Sequence, residues 1–122
     1  MLLVEAYANA GWYHNRLGHF QDSVEASREA LRIDPKQLEA RFNLALTLLQ
    51  SGQPEEALEE YRKGLGGVKL ASDLKYLAIE DLEQALRENP NLPQGEQVLQ
   101  MLKSQHEEML RTLGMDKAGL PA

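Results

Sequence analysis

The 122-residue chain has no cysteine, which excludes disulfide staples and thiolate sites and leaves no redox trace of a compartment. It also lacks a long apolar run. Residues 1–10 come closest, but Glu5 and Asn9 interrupt them and no basic leader precedes them. They therefore read as neither signal peptide nor membrane span, and the chain is expected to be soluble, without membrane insertion. Positive charge is in deficit: 13 Lys and Arg stand against 19 Asp and Glu, a net charge of −6. Phosphate backbones are held by clustered cations, so nucleic acid is not an expected partner. Aromatic residues are few, with two Phe, one Trp and four Tyr, so their positions carry information. What is present is enough apolar material, 43% of residues, for a core of domain size.

The chain also repeats itself. Comparing residues 4–37 with 38–71 gives seven identities at an offset of 34: Glu5/Glu39, Ala6/Ala40, Asn9/Asn43, Gly18/Gly52, Glu25/Glu59, Arg28/Arg62 and Leu31/Leu65. Small or apolar residues align as well, as in Gly11/Ala45, Ser23/Ala57 and Ala30/Gly64, which suits close helix crossings. Within each copy the apolar residues recur at helical spacing in two stretches separated by glycine. The first copy predicts helices near 4–16 and 20–33, broken at Gly18 and ended at Asp34-Pro35, since the residue before proline avoids helical dihedrals. The second predicts helices near 38–50 and 54–66, with Gly52 as the break and Pro54 opening the next helix.

Helical hairpins with this period resemble the tetratricopeptide repeat, whose pattern is W-x2-L-G-x2-Y, then A-x3-F, then P. The first copy reads Tyr7-x2-Ala10-Gly11-x2-His14, Ser23-x3-Ser27, Ala30 and Pro35; the second reads Arg41-x2-Leu44-Ala45-x2-Leu48, Ala57-x3-Tyr61 and Gly64, with Lys69 in place of the closing proline. The resemblance covers residues 4–66. It implies an all-α fold, a right-handed α-α superhelix (tetratricopeptide-repeat solenoid) of about six helices, and a protein-protein interaction scaffold rather than an enzyme.

A third copy begins late. "YLAIEDLEQALRENP", Tyr76 to Pro90, matches the second half of a repeat, so about fifteen residues of the period are missing. A helix over about 72–88 is expected in place of the absent one. The turn "ENPNLPQG" then leads to a helix near 95–113 with Val98, Leu99, Leu102, Met109, Leu110 and Leu113 on one stripe. Gln100, Lys103, Ser104, Glu107, Glu108 and Arg111 give it the polar outer face of a terminal cap. The expected organisation is a single repeat domain over 1–114: repeats at 4–37 and 38–71, a truncated third at 72–90, the cap at 95–113, and a flexible tail at 115–122. Because the first helix starts next to Met1 with no capping repeat, the chain reads as a piece of a longer array or larger protein.

No cofactor site or enzyme signature emerges. "SQHEEML" has Leu110 where a zinc protease needs its second histidine. "GLGGVK" lacks the G-K-[ST] ending of a phosphate-binding loop. His14 and His19 flank Gly18, but Asp22 and Glu25 are expected on another helix face, so no metal site is predicted; His14 is expected to pack and His19 to face solvent. Abundant carboxylates such as Glu55, Glu56, Glu59 and Glu60 suit the wet side of an amphipathic helix.

In this family the first helix of each hairpin lines a concave groove that holds extended peptides or partner helices. By that resemblance the groove here would be lined by Asn9, Trp12, Arg16, Phe42, Asn43, Leu46, Leu49 and Gln50, with the two asparagines orienting a bound peptide's backbone through donor and acceptor. Large apolar residues on a free face mark an interaction site. They are equally explained by cover from another segment, such as the 95–113 helix, or from a second chain. The family's carboxylate clamp needs a lysine where this chain has Ala8, so a partner with an acidic C-terminus is disfavoured and an apolar or basic peptide preferred. The incomplete third repeat offers a further reading, a homodimer seam, and appendage to an enzyme as a regulatory domain is another.

Overall fold

The computed structural model describes residues 2–122. It is an all-α helical repeat of six helices, 75% helical. They are α1 (Leu3–Arg16), α2 (Phe20–Ile33), α3 (Leu38–Gln50), α4 (Pro54–Gly67), α5 and α6 (Gly95–Thr112). Helix α5 is one rod of three consecutive pieces, Ala71–Leu74, a π-helical turn Lys75–Ile79, and Glu80–Glu88, with helical dihedrals at both junctions. The chain forms two compact units, one ending at Gly67 and one starting at Val68.

The helix breaks follow from backbone chemistry. Gly18 and Gly52 take φ of +77° and +82°, a left-handed conformation that costs glycine nothing. Each closes a Schellman turn. His19 N–H donates to the His14 carbonyl at 2.8 Å, and Gln53 N–H to that of Leu48 at 2.9 Å, so the last carbonyls of α1 and α3 are satisfied as the chain reverses. Between the hairpins, the Asp34 carboxylate accepts from Lys36 N–H at 3.0 Å, and the Gln37 side chain caps α3 by accepting from Glu39 N–H at 3.0 Å.

In the first unit α1 packs on α2 and α3, α2 on α3, and α3 on α4. Ala8, Ala30 and Ala40 meet at one apolar cluster with no exposed surface, bordered by Val4, Tyr7 and Leu31. Alanines at all three places let three helices approach closely. At the other end of the unit the small residue is Gly64, where an added Cβ would lie 2.7 Å from Cζ of Phe42. The Phe42 ring lies 6.3 Å from that of Tyr61. Arg41 joins the same two helices: it donates to Glu60 at 2.7 Å and to the Pro35 carbonyl at 2.9 Å.

In the second unit α5 packs against α6. Val98, Leu99, Leu102 and Leu110 of α6 are buried with Leu74, Ala78, Leu82 and Leu86 of α5, and Lys103 pairs with Glu83 at 3.1 Å. Leu113, expected on the apolar stripe, is 63% exposed, because it lies past the last helical turn as the C-cap of α6. The tail, expected to be loose, is folded into a closed turn. Its reason is Asp116, whose carboxylate accepts from Ala118 N–H at 2.9 Å and Leu120 N–H at 3.0 Å.

Candidate functional site

The eight residues expected to line a groove separate into two groups. Trp12 is 36% exposed, Arg16 is exposed, and Asn9 and Gln50 are half-buried. Phe42, Asn43, Leu46 and Leu49 are instead interior, at 1%, 5%, 5% and 1% exposure, which corrects the expectation of an open apolar face on α3. The physical cause lies in the helix itself. From Phe42 to Leu49 every residue is buried, and a helix that is apolar on nearly all sides is a core helix. Its two polar side chains in that span, Asn43 and Thr47, are both satisfied inside the protein.

The satisfaction comes from a polar seam that the sequence reading missed. Asn43 Nδ2 donates to Ser27 Oγ at 3.0 Å. Ser23 Oγ donates to the Gly11 carbonyl at 2.8 Å and lies 3.0 Å from Thr47 Oγ1. Asn15 Nδ2 donates to Thr47 Oγ1 at 2.8 Å and Gln50 Oε1 at 2.6 Å, and Thr47 itself donates to the Asn43 carbonyl at 2.8 Å. Three helices are tied by these bonds. The signal available in the sequence was the pair of serines, Ser23 and Ser27, standing where the repeat pattern has alanine and an aromatic residue. Polar substitutions at two core positions imply partners, and Asn15, Asn43 and Thr47 are those partners.

Thr47→Val keeps the shape of the side chain and removes the hydroxyl to which Asn15 and Ser23 are both joined. We expect a loss of about 1–3 kcal/mol, the cost of leaving buried polar groups with fewer partners. Urea denaturation would show it as a lower midpoint at unchanged slope.

Of the eight, the two exposed ones, Trp12 and Arg16, are both on α1. Trp12 and Tyr13 stand edge to face with ring centroids 5.2 Å apart, and Tyr13 is 63% exposed. On the solvent side of α2, Arg32 donates to Glu29 at 3.0 and 2.6 Å. That hydrogen bond, with the opposite charge adding, holds the Glu29 carboxyl below the usual carboxylate range. In the second unit a hollow of about 350 Å³ is lined by residues that include Tyr76, His106, Leu110, Leu113 and Lys117.

His14, His19 and Asp22 are brought together, contrary to the expectation that Asp22 lies on another face. One potential ligand atom from each lies within 4.8 Å of the others. The cause is the Schellman turn, which reverses the chain so tightly that the first turn of α2 stands beside the last of α1. Among the described residues no helix is long and apolar enough to cross a membrane.

Two glycine-broken helical hairpins meeting at a three-alanine contact are the features on which the similarity to known proteins rests. The model of the tetratricopeptide repeat family matches residues 8–72, and the chain belongs to that family. It is similar to a TPR repeat-containing protein, MJ1428, of Methanocaldococcus jannaschii, at 32% identity over 78 residues, covering 63% of this chain and 13% of that protein. It is also similar to the small glutamine-rich tetratricopeptide repeat-containing protein 2 of Saccharomyces cerevisiae, at 36% identity over 59 residues, covering 48% of this chain and 17% of that one. The matched segments are thus a small share of these relatives. Tetratricopeptide repeats generally mediate protein-protein interactions.

Proposed function

We propose that this protein is a non-enzymatic interaction module that docks a partner peptide or helix on the exposed side of α1, with Trp12 as the anchor and Asn9, Arg16 and Gln50 at its flanks. The observation that carries this reading is the edge-to-face pair of Trp12 and Tyr13, left open to solvent on the helix that lines the groove in this family. Tryptophan and tyrosine supply large rigid contact area at low entropic cost, and they dominate binding energy where they are enclosed by a partner. Phe42, Leu46 and Leu49 are interior and are not part of the docking surface; Phe42 packs instead on Tyr61 and Gly64 of α4. Ala8 supports the choice of an apolar or basic peptide over an acidic C-terminus. It has no exposed surface, so the position that carries the clamp lysine in the family has no opening to solvent here.

Capture of a protein partner on immobilised protein, repeated with Trp12→Ala and Tyr13→Ala, tests the reading. The expected result is at least a tenfold loss of affinity for Trp12→Ala, about 1.4 kcal/mol or more, in variants that retain the helical spectrum of the parent. Undiminished capture by the folded Trp12→Ala protein would remove α1 as the docking surface.

A further inference from the structure

From the meeting of His14, His19 and Asp22 at the α1–α2 turn, we infer a binding site for a borderline divalent ion, zinc being the best match. Two imidazoles and one carboxylate are a donor set suited to Zn²⁺, which takes histidine nitrogen and carboxylate oxygen at about 2.0–2.2 Å and, with three protein ligands, keeps a fourth position for water or an incoming donor. Ligand atoms on one tetrahedral ion stand about 3.3 Å apart. The three here lie within 4.8 Å of one another, so closure around an ion needs a shift of about 1.5 Å at most, within reach of side-chain rotation alone.

The backbone is already fixed for this. His14 is in the last turn of α1, His19 is the N-cap of α2, and Asp22 is in the first turn of α2. The 2.8 Å bond from His19 N–H to the His14 carbonyl locks the turn between them. The two rings are 5.9 Å apart, tilted by 39°. Nδ1 of His14 has no hydrogen-bond partner, so no protein group holds that nitrogen's lone pair or proton. His19 and Asp22 are exposed, so an ion reaches the site without opening the fold. Bound there, it cross-links α1 to α2 and strengthens the first hairpin, next to the helix that carries Trp12.

The test uses the tag-free chain titrated with zinc chloride in a calorimeter, with cobalt chloride as a spectroscopic substitute. The expected result is one ion per chain with a Kd below about 100 μM, a tetrahedral cobalt spectrum, and a thermal midpoint that rises with zinc. His19→Ala should weaken binding at least tenfold and abolish the zinc-dependent rise in midpoint. His106→Ala, at the one histidine outside the cluster, should change neither. Since His19 is exposed, its substitution leaves the fold intact even if His14→Ala does not. Wild-type binding no tighter than millimolar, or binding by His19→Ala equal to wild type, would overturn the site.

Discussion

Phe42→Ala is expected to destabilise the protein by about 3–5 kcal/mol, the range for deleting a fully buried phenylalanine ring from a core that relaxes only in part. The ring is 1% exposed, stacked near Tyr61 and set over the backbone of Gly64. If it were a ligand-facing side chain, the same substitution would leave folding nearly unchanged and weaken binding alone. Denaturant titration therefore separates core from groove in one measurement. A companion substitution sharpens it. Gly64→Ala puts a methyl group into the Phe42 ring, 2.7 Å from Cζ and 3.0 Å from Cδ1, and overpacking of that kind costs about 1–3 kcal/mol. In a Phe42→Ala background the obstruction is gone, and alanine's advantage over glycine inside a helix, about 1 kcal/mol, makes Gly64→Ala stabilising. A change of sign between the two backgrounds is the expected result. Equal effects in both would mean that the ring and the glycine do not touch.

Gly11→Ala should lower stability by about 2–5 kcal/mol, although helix propensity alone predicts a gain. A Cβ at residue 11 would run into Ser27 Oγ and come within 2.8 Å of Asn43 Nδ2, with the Ser23 carbonyl at 3.4 Å. Neither side chain can withdraw: Ser27 is fully buried, Asn43 nearly so, and they are bonded to each other. The substitution must either push α1 off its neighbours or break that bond and leave a buried amide with one partner fewer. Thermal or urea unfolding gives the sign directly. A stabilised Gly11→Ala variant would mean that the three helices stand further apart than described.

Much of this was legible in the sequence because it rests on local chemistry. The period, the glycine turns at 18 and 52, the proline opening α4 and the rod over 71–88 each follow from dihedral preference or helical spacing, which a chain states residue by residue. Burial is not local. The asparagines at 9 and 43 align in sequence, yet Asn43 is interior while Asn9 is half-buried, because what surrounds α3 differs from what surrounds α1. Tyr13 and Asn15 show the same limit from the other side. Their apolar or polar character predicts inside and outside, and the fold reverses both: Tyr13 is exposed, while Thr47 and Gln50 of α3 give Asn15 partners within the core. Asp22 was misplaced for want of the turn geometry, which sets a helix's first turn beside the end of its predecessor.

The seam between the hairpins also bears on how far this unit can be exchanged for another. Alanine against alanine forms a smooth contact that tolerates small sliding, whereas Asn15, Ser23 and Thr47 interlock in only one alignment. Grafting an ordinary consensus hairpin in front of α3 would strand Thr47 and Asn43 against apolar neighbours. The two hairpins are therefore a matched set, and transplanting the first into another array requires carrying its facing helix along.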